Sequence, residues 1–173
     1  MIMAGLTERQ VKERDIDWYC LIKGEPTHIA SMGGSIPAKF RDREKLRRHQ
    51  DMVALLDPSV EVKLNMELIE SMTANGYEYL NDQMISNVIE EANRNHPGFV
   101  YLQDFGLPIR LFAATFVEKA RRGFRSFARK EDAEGNEYVL VAEPAIPIKN
   151  DFREIGLEEL ECEVRDEGET IVL

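Results

Sequence analysis

Trp18-Tyr19-Cys20-Leu21-Ile22, then Lys23-Gly24-Glu25-Pro26, then Thr27-His28-Ile29-Ala30-Ser31 form the stretch that decides the fold. The first five residues are aromatic and apolar, too few for a free-standing helix, and of types that suit a pleated surface. The next four carry turn chemistry, and the last five read as a returning strand, so the unit is a hairpin. Gly33-Gly34-Ser35 and Pro37 end it. Pairing Ile22 with Thr27 sets Cys20 opposite Ile29 and His28 opposite Leu21. Neighbouring residues point to alternate faces, so Cys20 and His28 are expected on opposite sides of the sheet.

Helical spacing dominates on either side of this hairpin. Thr7 caps a short helix running to about Arg14. From Asp42, the residues Leu46, Val53 and Leu56 fall on one side, and Asp57-Pro58 stops the run. His49 lies on this helix between Arg48 and Gln50 and reads as solvated. Val60-Glu61-Val62-Lys63-Leu64 alternates as a half-buried strand. Asn65 caps a short helix carrying Leu68, Ile69 and Met72, closed by Asn75-Gly76. Met84, Ile85, Val88, Ile89 and Ala92 make the stripe of a longer helix that Asn81 or Asp82 caps and His96-Pro97-Gly98 ends. Pro108 fits the first turn of the next, whose apolar face is Ile109, Phe112, Ala113, Phe116 and Ala120.

Phe124–Arg129 and Tyr138–Ala142 bracket Asp132-Ala133-Glu134-Gly135-Asn136 as a second hairpin. Beyond Pro144 and Pro147 the chain turns acidic, with net charge −7 between Asp151 and Glu169. Leu160, Cys162 and Val164 alternate there. Residues 1–150 are therefore read as one α+β domain. The segment 151–173 is an acidic C-terminal segment and a candidate strand or hairpin of the same domain. Because strands come as adjacent hairpins, the expected architecture is an antiparallel sheet with about five helices packed on it.

The composition, 43% hydrophobic and 31% charged over 173 residues, is that of a soluble globular chain. No apolar run approaches the ~20 residues of a bilayer span, so no membrane is expected. Cys20 and Cys162 suggest no disulfide framework, and a cytoplasmic location follows as the simplest expectation. The three histidines, His28, His49 and His96, show no paired spacing, and no metal or cofactor is expected.

The net charge of −10 excludes a general nucleic-acid coat, but the bases are clustered. Six lie between Lys39 and Arg48, and six more between Lys119 and Lys130. Arg43, Arg47, Arg48, Arg121, Arg122 and Arg125 are the candidate anion-binding residues, since the guanidinium fork matches phosphate and carboxylate. Phe124 and Phe127 interleave with the second cluster, as a platform for stacked bases would. The leading expectation is a non-enzymatic binding or accessory domain whose partner is anionic, a nucleic acid or an acidic protein. Its premise is that the two clusters share a surface. The alternative is an enzyme acting on a small anionic substrate near Gly33, Gly34 and Ser35, whose N–H groups could form an anion nest, with His28 as acid or base.

Overall fold

A computed structural model describes residues 5–59, 61–71, 80–131, 134–146 and 150–173. Val60, Met72, the Asn75-Gly76 stop, Asp132-Ala133 of the second turn, and Pro147 lie outside the described residues. The fold is α+β, as the hairpins and helical stripes imply. The strands are β1 (Asp17–Ile22), β2 (Glu25–Ala30), β3 (Val62–Leu64), β4 (Arg125–Arg129), β5 (Glu137–Pro144), β6 (Glu163–Arg165) and β7 (Thr170–Val172). The helices are α1 (Glu8–Lys12), α2 (Arg43–Ala54), α3 (Met66–Ser71), α4 (Asp82–Asn95) and α5 (Leu107–Arg121). Short 3₁₀ turns occupy Ala38–Phe40, Pro97–Leu102, Arg153–Ile155 and Asp166–Gly168.

Side-chain caps start the helices where the sequence places them. Thr7 accepts from the Gln10 N–H while the Gln10 side chain returns to the Thr7 N–H, a reciprocal box. Asp42 accepts from Lys45 and Asn81 from Met84.

The sheet is mixed rather than antiparallel. Its order is β1-β2-β4-β5-β7-β6, with β3 added beside β5, and β2 runs parallel to β4. The chain between those two strands carries α2, α3, α4 and α5 among its described residues, a crossover long enough to bring the second strand back in the same direction. The hairpin reading is right for β1–β2 and β4–β5, whose strands are antiparallel neighbours.

The turn between β1 and β2 is shorter than its composition suggests. Only Lys23 and Gly24, at φ 50° and 77°, form the loop, the left-handed pair that matches strand twist. Ile22 therefore pairs with Glu25, Cys20 with Thr27, and Tyr19 with His28. The register differs from expectation by two residues, an even number. Cys20 and His28 still face opposite sides.

One face holds Trp18, Cys20, Ile22, Ile29, Phe127, Leu140 and Ile171 in a single buried cluster. The sheet curls around this cluster. At its outer edge the Leu21 N–H donates to the Glu158 carbonyl at 2.8 Å and the Leu160 N–H to the Leu21 carbonyl at 2.7 Å. The same chain segment continues into β6 at the far end of the strand order. Residues 158–165 thus run along the seam of the curl, and Leu160 joins the enclosed cluster. Each large side chain buried there contributes about 1.5–3 kcal/mol.

The other face carries small residues, Ala30, Ser126, Ala128 and Ala142, beside the larger Tyr19 and His28 of β1 and β2. A register shift at Ser126/Phe127 puts Ala142 opposite Ser126 and Leu140 opposite Phe127, so each strand keeps its small residues on one side. Ala113, Ala114, Val117 and Ala120 of α5 lie against this face. Gly98 presses on α5, where an added Cβ would collide with the Ala114 carbonyl oxygen. Helix α2 covers β1 through Val53, which packs with Tyr19, Phe124 and Ile155. Among the described residues no helix is long and apolar enough to cross a membrane.

Candidate functional site

Helix α2 buries Leu46, His49 and Val53, which leaves Arg43, Arg47 and Arg48 exposed. Arg43 and Arg47 are one turn apart on one side of the helix. Arg43 donates to the Gln10 side chain at 2.8 Å and Arg48 to the Ile155 carbonyl at 3.1 Å. The Arg47 side chain is 85% exposed, with Asp51 4.0 Å away. Lys39 and Lys45 flank this face. Lys45 Nζ lies 2.5 Å from Glu158, and Lys39 donates to the Glu159 carbonyl at 2.8 Å.

The second basic stretch is built differently. Arg125 and Arg129 share the face of Phe127 at either end of β4, so each reaches out from an end of the enclosed cluster. Arg125 lies 3.2 Å from Glu143 and 3.4 Å from Glu25, and donates to the Gly168 carbonyl at 2.8 Å. Arg129 donates to the Met32 carbonyl at 3.2 Å. Arg122 pairs with Glu118 at 3.2 Å, with its side chain only 11% exposed. Arg121 donates to the Pro58 carbonyl and stacks on the Tyr101 ring at 3.6 Å. Phe124 and Phe127 are fully buried. They present no ring to a partner. A cleft of about 460 Å³ opens beside Arg125, lined by Glu25, Glu143, Glu167 and Phe152 among others.

The histidine of the alternative reading lies in the core. His28 Nε2 is 2.7 Å from Asp17 Oδ1 and Nδ1 is 2.5 Å from Ser126 Oγ. Three adjacent strands supply the trio, because Asp17, His28 and Ser126 all point to the α5 face. Burial works against the Asp17 charge, but the hydrogen bond to His28 and the nearby Lys119 hold its carboxyl below the usual range. The Asp–His–Ser order is that of a serine hydrolase triad, but the ring nitrogens are exchanged, with Nε2 on the carboxylate and Nδ1 on the hydroxyl, and the exposure is reversed. His28 and Ser126 are fully buried, and only Asp17, with 38% of its side chain exposed, meets solvent. A nucleophile must reach its substrate. Here the contacts satisfy a core histidine and tie β1, β2 and β4 together.

The glycine loop spends its N–H groups internally. Gly33 donates to Arg14, Gly34 to Ser31 and Ser35 to Gly135. Gly33 sits at φ +80°, and a Cβ on Gly34 would meet the Tyr138 hydroxyl, which donates to the Ser35 carbonyl at 2.9 Å. The two glycines serve a turn and a close approach.

His49 corrects the sequence reading. It is 5% exposed, not solvated, because it stands three residues after Leu46 and four before Val53 on the apolar stripe. Burial and the neighbouring Arg48 and Lys45 push its pKa down, while a hydrogen bond with the Gly156 backbone and the nearby Glu158 act in the opposite direction. Among the described residues its Nε2 has no partner, and neither does Trp18 Nε1. Both cysteines are free thiols, and burial pushes that of Cys20 up. Among the described residues no group of three or more His, Cys, Asp or Glu could hold a metal.

Lys45 and Glu158 escaped the sequence reading as a pair, since only the seam of the curl brings them together. Ser126 escaped it because nothing local marks the strand that will flank His28. The fold and these groupings define an α+β protein with a curled mixed sheet and an exposed basic helix, α2. Searches against protein-family models, curated proteins and solved structures returned no match.

Proposed function

We propose that the protein is a non-enzymatic binding module that engages an anionic partner through the outward face of α2. The observation that supports this reading is the exposure of Arg43, Arg47 and Arg48 on a helix whose opposite side is anchored in the core. A rigid helix presenting three guanidinium groups offers charge-assisted hydrogen bonds at little ordering cost. The partner's contacting groups are phosphate or carboxylate oxygens. Arg121, Arg122 and Arg125 take the supporting part, holding the sheet and α5 in place behind the helix.

The test is a titration of labelled single-stranded and duplex oligonucleotides and of an acidic peptide, each across a salt series. Binding should weaken steeply with salt, by a slope of about −0.9 per duplex phosphate contacted. Arg43→Glu with Arg47→Glu should abolish it while the melting temperature stays put. Binding that is undetectable at low salt for every probe would reject the reading.

The competing reading, an enzyme with His28 as acid or base, draws on the ordered contact of His28 with Asp17 and Ser126. A substrate screen followed by His28→Ala separates the two.

A further inference from the structure

We infer that Glu158 is a built-in occupant of an anion pocket, and that a carboxylate or phosphate from outside the chain binds there by displacing it. The inference rests on the binding reading above and names the site at which a small oxyanion is taken.

Glu158 is held as a ligand would be. Its Oε1 lies 2.5 Å from Lys45 Nζ and its Oε2 4.0 Å from Lys39 Nζ, so a separate ammonium stands at each oxygen. Behind the carboxylate the pocket is walled by Trp18, Phe40, Leu46 and His49. The free volume is about 10 Å³, room for roughly one water. No second anion fits while Glu158 is in place, so binding must be replacement rather than addition.

One donor on the pocket's own side chains is left unused. Trp18 Nε1 is buried with no acceptor among the described residues, and Glu158 does not bond to it. A buried indole N–H without an acceptor is costly. An oxyanion not tied to the backbone would have the two lysines and that N–H available to it.

Displacement does not require unfolding. The Glu158 carbonyl is fixed by the Leu21 N–H at 2.8 Å, so the backbone stays in the seam while the side chain turns. The Glu158 side chain is 37% exposed, and its two lysines are more exposed still. Exposed ion pairs of this kind are weak enough for an external ligand to compete.

Trp18 is the only tryptophan in the chain, which makes it the reporter. The experiment titrates inorganic phosphate, and separately acetate, into the full chain, following Trp18 fluorescence and the indole N–H resonance. Glu158→Gln should tighten the apparent dissociation constant about tenfold, as removal of an internal competitor occupying nine-tenths of the sites would. Glu158→Ala should do the same where glutamine keeps a bond to Lys45. The charge-matched Glu154→Gln should change it less than about twofold, given that exposed charges are screened. Lys45→Ala should remove the response. The arm that responds, phosphate or acetate, names the source. Equal tightening by Glu158→Gln and Glu154→Gln would overturn the inference. So would silence in both arms for every variant. If the oligonucleotides or acidic peptide still bind in that silent case, the α2 reading stands alone. If they do not, both fall.

Discussion

The two basic stretches, residues 39–48 and 119–130, look alike in the sequence and do opposite things in the fold. Each has six bases. The first is wound into α2 and the turn before it, where one side of a helix meets the core and the rest meets water. The second ends α5 and forms β4, the strand at the centre of the sheet. Its arginines are half-buried and are held by partners at the rim, among them Glu25, Glu143, Glu118 and the Gly168 carbonyl. A run of charge therefore says little until its secondary structure and its place in the fold are known. Bases on an outer helix are available, whereas bases at the ends of an inner strand hold the structure together.

The sharpest way to break this contrast is to remove a base from the second stretch. Arg125→Ala leaves Glu143 half-buried without its partner and the Gly168 carbonyl without its donor. The expected cost is about 2 kcal/mol, a fall in melting temperature of roughly 4–8 °C. An unchanged melting curve would mean that Arg125 is as dispensable as a surface base. A smaller effect comes from the buried side of α2. The pKa of His49 is depressed in the fold, so the unfolded chain takes up the proton more readily. The contribution of His49 is fully present above the ordinary histidine value near 6.5, and is lost as pH falls through the depressed one. Denaturant melts at pH 7.5 and pH 5 should differ, with the acid sample less stable, and His49→Gln should shrink the gap. The Glu158 carboxyl, held low chiefly by the Lys45 hydrogen bond, titrates below about 4.5 and does not confuse that window. The smallest effect belongs to the outer face. Arg43→Ala with Arg47→Ala should change stability by no more than about 0.5 kcal/mol. A larger loss would place these arginines in the framework with Arg125.

The legible parts of the fold were those written locally. Thr7, Asp42 and Asn81 announce helix starts, Pro108 marks a first turn, and the aromatic run at Trp18 followed by Lys23-Gly24 announces a hairpin. The parallel pairing of β2 with β4 was not legible, because no residue of either strand encodes which neighbour a long crossover will deliver. The periodicity did contain two signals that charge obscured. His49 continues the stripe of Leu46 and Val53, and Arg125 and Arg129 alternate in phase with Phe127. Read by spacing rather than by residue type, all three fall on inner faces. The Lys45–Glu158 contact had no such signal, since it joins a helix to a segment far along the chain.

The seam along β1 has a consequence for the order of assembly. The hairpin of β1 and β2 is made well before residues 158–160, yet the Leu21 edge finds its partners only when those residues leave the ribosome. Until then Trp18 and its neighbours lack part of their cover, and an unpaired strand edge stands open to other chains. Such distant pairing slows folding. The newborn protein spends its vulnerable interval waiting for its own acidic segment around Glu158.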